Sequence, residues 1–194
     1  MAGKPKPGVV KRRAAPAGTL IAIDGVAGRA VMRAAAKEAS AARRDRRDRA
    51  GISVWDASGI FGDLDAAGPD VERPSARTLM LLYAADLAFR IRWEIRPALA
   101  EGRTVIAAPY VTTALALGRA MGLNESWLRS IFAFAPAPAE YRCVDGPSVP
   151  NATGHGFVEL ACRMLAGIET RAMRLDLITR THTRLKGTRH RSRP

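Results

Sequence analysis

The sequence predicts an α/β fold: a three-layer arrangement with a parallel sheet flanked by helices. Three observations carry that expectation. Short β-rich apolar runs alternate with longer helical segments through the chain, strand then helix four times over. The segments between strands are long enough for helical crossovers, which parallel pairing needs. Finally, 47% of the 194 residues are apolar, enough to fill one core.

The first strand is "GTLIAIDG" (18–25), an apolar run stopped by glycine. From about Arg29 to Arg49 the composition is alanine, arginine, lysine and glutamate without proline or glycine, which favours helix, and Gly51 is expected to stop it. "ISVWD" (52–56) reads as the second strand and "ASGIFGDLDAAGPD" (57–70) as loop-rich. Pro74 and Ser75 open a long helix that runs to Gly102. Leu79, Tyr83, Leu87, Ile91 and Ile95 recur every four residues in it, a buried stripe, and Pro97 should loosen its last turn. "RTVIAAP" (103–109) is the third strand, ended by Pro109. Two helices follow, at 112–122 and 124–134, the second with Asn124 as N-cap. A proline-bounded fourth strand lies within 135–147, and an amphipathic helix spans 155–180. Ligands of such sheets sit at the carboxyl ends of the strands. The turns after strands one, two and three would meet there.

The formal net charge is +13. Residues 1–17 carry five cations and no acid, among them Lys11, Arg12 and Arg13. Residues 180–194 carry six and no acid, among them Arg184, Lys186, Arg189, Arg191 and Arg193. Both ends are expected to be disordered basic tails around a folded unit at 18–179, and these eight residues are the expected contacts to nucleic acid or an acidic protein. No apolar run is long enough to span a bilayer, and the amino-terminal segment lacks the hydrophobic stretch of a secretory signal. A cytoplasmic protein without a membrane partner is expected, with organelle targeting open because the first segment is basic and acid-free. Cys143 and Cys162 form no metal-ligand spacing with the three histidines and read as reduced core thiols.

"IAIDGV" before a basic helix, "LLYAADLAFRIRWEIRPALAEGRTVIAAPY", and the Trp-bearing "ESWLRSI" resemble the thymidylate kinase family. The resemblance covers roughly 18–147, and "IRPALAEGRTVI" is its most specific part. It implies a P-loop kinase-like fold, ATP and Mg²⁺ as cofactors, and transfer of phosphate to thymidine monophosphate. The residues that handle phosphate in that family depart from its pattern. A working P-loop has two glycines with four residues between them, then Lys and Ser or Thr. Here Gly25 and Gly28 enclose only Val26 and Ala27, and Arg29 stands in the lysine's place, followed by Ala30 and Val31. The family's Asp-Arg-Tyr turn after the third strand reads Ala108, Pro109, Tyr110. Leu87 replaces an arginine near the acceptor phosphate, and "GPSVPNATGHG" lacks the lid arginines.

What the resemblance leaves is a vestigial nucleotide site of Asp24, Gly25, Gly28, Arg29, Asp56, Tyr83 and Tyr110. Asp56 keeps a carboxylate after strand two, and Tyr83 takes the place of an aromatic that stacks on the base. No catalytic residue and no metal ligand is assigned, and no cofactor is expected. The expectation is a catalytically inactive thymidylate-kinase-like scaffold, pairing as a homodimer or in a complex through the helix at 75–100 by Leu82, Phe89 and Trp93. The alternatives are an active or weakly active thymidylate kinase using ATP and Mg²⁺, and a nucleotide sensor without catalysis.

Overall fold

Alternate side chains of the first strand leave it in opposite directions, and the layers follow from that. In the computed structural model, which describes residues 18–44, 49–67, 72–144 and 156–165, β1 (Thr19–Gly25) is buried along nearly its whole length. Ile21 and Ile23 face α1 (Gly28–Arg44), whose Val31, Ala35 and Ala39 cover that side of the sheet. Leu20 and Ala22 face the larger core. β3 (Thr104–Ala108) repeats the pattern, with Ile106 and Ala108 on one side and Val105 and Ala107 on the other. A strand buried on both faces in this way is a central strand of a parallel sheet.

Two further strands complete the sheet among the described residues: β2 (Ala50–Val54) and β4 (Glu140–Val144). The order is β2-β3-β1-β4, all parallel, with Ile21 opposite both Ile106 and Glu140. The expected helix-covered parallel sheet is thus present. The larger core is closed by α3 (Ala76–Arg90), α5 (Val111–Ala120), α6 (Glu125–Ile131) and α7 (Phe157–Met164). Asn124 caps α6 by accepting from the Trp127 amide at 3.0 Å, as its place in the sequence suggests. No helix among the described residues is long and apolar enough to cross a membrane.

Four details differ from the sequence reading. Gly51 does not stop a helix: it lies within β2, paired with Val105. β2 ends at Val54, so Trp55 and Asp56 belong to the turn after it. The loop-rich stretch holds a short helix, α2 (Ile60–Ala66). Asp56 caps it, its carboxylate accepting from the Phe61 and Gly62 amides at 2.8 and 2.9 Å, while Phe61 is buried; together these outweigh a turn-prone composition. The last helix ends at Met164, because Leu165 is extended, so it is not the continuous 155–180 helix expected; residues 166–180 lie outside the described residues. The same is true of both basic tails and of residues 145–155.

The stripe Leu79, Tyr83, Leu87, Ile91 and Ile95 is buried throughout. The long helix is continuous but not uniform: Ile91–Ile95 form a π turn, after which α4 (Arg96–Ala100) finishes it. Pro97 has no amide hydrogen to return to the preceding turn, and the wider turn sits directly before it, where the Arg96 amide reaches the Ile91 carbonyl. Just upstream, Arg90 is fully buried. Its guanidinium donates to the Ser53 carbonyl at 2.7 Å, the Ser53 hydroxyl at 3.0 Å and the Pro109 carbonyl at 3.1 Å. One side chain therefore ties the ends of β2 and β3 to the helix. The Ser53 hydroxyl in turn donates to the Glu94 carboxylate at 2.6 Å, which places a counter-charge one atom pair away.

Replacing Arg90 with Leu strands two carbonyls in the interior, and each unsatisfied buried group costs about 1–3 kcal/mol. Urea denaturation of Arg90→Leu is expected to show a loss of roughly 2–5 kcal/mol. A loss below ~1 kcal/mol would mean that the fork does not bind the two strand ends together.

Candidate functional site

The strand order reverses direction at β1 and β3, which makes the carboxyl ends of these two strands the expected ligand crevice. Two residues, Val26 and Ala27, join β1 to α1, and both are buried. Asp24 sets the turn. Its Oδ1 accepts from the Thr113 hydroxyl at 2.7 Å, the Tyr110 amide at 2.8 Å and the Thr113 amide at 3.0 Å. The Thr113 hydroxyl oxygen also accepts from the Gly25 amide at 3.1 Å. The end of β1 is thereby fastened to the start of α5 and to the chain leaving β3. Burial drives the Asp24 carboxyl above the ordinary carboxylate range, and the donors of Thr113 and Tyr110 oppose that shift only in part.

The hollow at this turn has a volume of about 10 Å³, room for one water and not for a phosphoryl group. The start of α7 fills the rest. The Gly28 amide, first of α1, donates to the Glu159 carboxylate at 2.6 Å. Gly28 and Gly156 lie back to back: a Cβ on Gly28 would come within 2.5 Å of the Gly156 Cα, and one on Gly156 within 2.8 Å of the Gly28 Cα. Only glycine at both positions permits that approach. From α1, Val31 and Met32 line the hollow, and neither carries a hydroxyl or a charge. Arg29 is exposed and is not among the lining residues.

Phe157 occupies the neighbouring space. Its ring lies 4.2 Å from that of Tyr83, and Trp55 and Phe61 pack on its other sides at 5.8 and 5.4 Å. Tyr83 is fully buried, with its hydroxyl donating to the Tyr110 carbonyl at 3.1 Å, so it offers no open face to a base. Tyr110 is buried as well, and its hydroxyl donates to the Pro136 carbonyl at 2.8 Å. Both Asp56 carboxylate oxygens are taken by the α2 amides. The structure thus brings Asp24, Gly25, Gly28, Tyr83 and Tyr110 together at one end of the sheet, but as packed structure. Asp56 faces α2, and Arg29 faces outward.

Sequence reasoning missed Thr113, Asp86, Phe157 and Glu159. Asp86, the last letter of "AAD", is buried and accepts from the Asp56 amide, the Ser58 amide and the Ser58 hydroxyl, each at 3.0 Å, which shapes the turn after β2. Glu159 stands three residues after the helix's N-cap glycine, a position from which a glutamate can serve backbone amides; that local signal was available, its partner 131 residues away was not. Beside the closed hollow a larger groove of about 380 Å³ runs between Met32, Trp55, Phe61, Leu160 and Arg163, within the size range of small-ligand sites. Arg163 pairs there with Asp65 at 3.0 Å.

Because the folded Asp24 holds its proton to higher pH than the unfolded chain does, its ionisation opposes folding. That cost is absent at low pH, grows as pH rises through the interval between the two values, and is constant above the folded one. Asp24→Asn keeps the shape and one acceptor. The stability of the variant relative to the natural protein, followed by denaturation from acid to neutral pH, should therefore improve across that interval and then level off. A difference independent of pH would refute the raised value.

No family model matches the chain. It is 42% identical over 69 residues to a probable thymidylate kinase of Pyrococcus abyssi, covering 36% of this chain and 34% of that protein. A probable thymidylate kinase of Pyrococcus horikoshii is 45% identical over 58 residues, 30% of this chain and 28% of the relative. The matched part thus spans about a third of the length of these curated relatives. Among solved structures, the crystal structure of thymidylate kinase from Ehrlichia chaffeensis superposes with a TM-score of 0.59 at 13% identity, over 67% of this chain and 72% of that one. At that identity the likeness speaks for the fold. A stretch of about a third of the chain is thus similar in sequence to thymidylate kinases, and the helix-flanked parallel sheet is the fold of one.

Proposed function

We propose that this chain is a catalytically inactive relative of the thymidylate kinases that works as a binding or scaffold subunit. One observation carries the reading: among the described residues that line the phosphate hollow, the sole charged side chain is a carboxylate, Glu159. Phosphoryl transfer needs positive charge around the moving group, and losing one such cation typically costs about 10³-fold or more. Three arginines of the surrounding elements are engaged elsewhere. Arg29 faces solvent, Arg90 holds carbonyls, and Arg163 pairs with Asp65.

A scaffold acts through its surfaces. The outer face of the long helix carries Leu81, Phe89 and Trp93, exposed by 50%, 42% and 61%, with Leu82 half-buried beside them. This is the face we assign to pairing with a second copy or another protein. The eight tail cations, from Lys11, Arg12 and Arg13 to Arg184, Lys186, Arg189, Arg191 and Arg193, lie outside the described residues and supply the charge for a polyanionic partner such as nucleic acid. Trp93→Asp should shift the sedimentation of any dimer toward monomer. Deleting 180–194 should weaken retention on DNA and flatten its dependence on salt; retention equal to that of the full chain would remove the tail from the proposal.

The decisive assay is turnover. Purified full-length protein with ATP, Mg²⁺ and thymidine monophosphate is expected to form no diphosphate above a protein-free blank. Turnover that disappears on Arg29→Ala would instead establish an active kinase with an unusual loop.

A further inference from the structure

We infer that the anion position of the shortened phosphate loop is permanently held by a ligand from the same chain, the Glu159 carboxylate. This deepens the inactive-scaffold reading and names the occupant of its closed site.

Three independent features converge on the carboxylate. α1 and α7 both begin beside it, so the positive ends of two helices, of 17 and 8 residues, face one anion. The Gly28 amide donates to its Oε1 at 2.6 Å, the short length of a charge-assisted bond. Glu159 is only 5% exposed, and its Oε2, with no hydrogen-bond partner among the described residues, lies against the Gly156 backbone at the hollow. A Cβ on Gly156 would overlap that oxygen, so the glycine leaves the space the carboxylate fills. A helix N-terminus that faces a buried carboxylate from a residue 131 positions away is a matched anion site with its anion in place. The chemical class it accepts is therefore a small carboxylate, and a free nucleotide phosphate is shut out.

Full-length Glu159→Ala, Glu159→Gln and the natural protein distinguish the outcomes. Thermal melting is followed with sodium formate, inorganic phosphate, and sodium chloride at equal ionic strength. Glu159→Ala should melt roughly 5 °C lower, the shift expected for losing one charge-assisted bond in a domain of this size. Formate should restore part of that loss saturably, beyond the effect of chloride. The natural protein should respond to neither formate nor phosphate beyond chloride. Should Glu159→Ala fail to fold, Glu159→Gln gives the second readout: the Gly28 amide proton moves upfield when its acceptor loses charge. A melting point unchanged in Glu159→Ala, no added effect of formate, a stationary Gly28 resonance, or phosphate stabilisation of the natural protein would each overturn the inference. Kinase turnover by the natural protein would overturn both ideas, whereas any of the four outcomes above without turnover overturns the inference alone and leaves the inactive reading standing.

Discussion

Two residues separate the end of β1 from the start of α1, and the rest of the site follows from that brevity. A phosphate-binding loop works by turning several successive amides toward one anion. Val26 and Ala27 cannot supply that turn, and the Gly25 amide before them is already given to Thr113. The amide of Gly28 is left pointing at the hollow, and it meets Glu159. Asp24 makes the short turn rigid. A buried carboxylate is expensive unless donors surround it, and the three donors on its Oδ1 come from the chain that leaves β3. The crevice between β1 and β3 is thus crossed by hydrogen bonds in the place where a ligand would enter.

Magnitudes indicate how firmly the start of α7 is seated. Burying a phenylalanine ring contributes about 1.5–3 kcal/mol, and a hydrogen bond to a charged group about 1.5–3 kcal/mol. Phe157 and Glu159 make one of each, and both would have to leave before a nucleotide entered. A tenfold change in affinity corresponds to about 1.4 kcal/mol, so displacement alone would weaken such a ligand by roughly 10² to 10⁴. The amide of Gly28, freed in exchange, returns one hydrogen bond. An occupant tethered to the chain also has no translational freedom to lose on binding, which a free nucleotide does. The internal group wins on both counts.

The order of strands and helices was legible because each rests on local pattern. The four-residue stripe of the long helix, the apolar runs of β1 and β3, Asn124 as a cap and the shortened glycine turn all survive in the structure. Other features depended on partners far along the chain. Nothing near Tyr83 announces that Phe157 will cover its ring, so a tyrosine expected to face a base is core. Nothing local marks Arg90 as buried either; its partners, the carbonyls of Ser53 and Pro109, lie 37 and 19 residues away. Gly51 was misread for a different reason: glycine ends helices and also tolerates strands, and the ladder with β3 decided between them. Asp56 shows a third kind of failure, in which a carboxylate that could serve a ligand serves the amides of the following helix.

The charged side chain that lines the hollow is a carboxylate, and the backbone around it accounts for that. A kinase-like sheet gathers backbone amides at the carboxyl end of β1, and these favour some anion whether or not a substrate supplies it. An empty hollow would leave the Gly28 amide buried without a partner, itself a cost of about 1–3 kcal/mol. Glu159 meets that need from within, and Gly156 makes the room. Arg90 performs the complementary task deeper in the fold, where a cation satisfies carbonyls and so contributes stability. With both groups committed to the interior, a phosphate at this turn would need a longer loop and a displaced helix start together. The exposed Trp93 and Phe89 of the long helix, by contrast, are free of that constraint and can change without disturbing the closed end of the sheet.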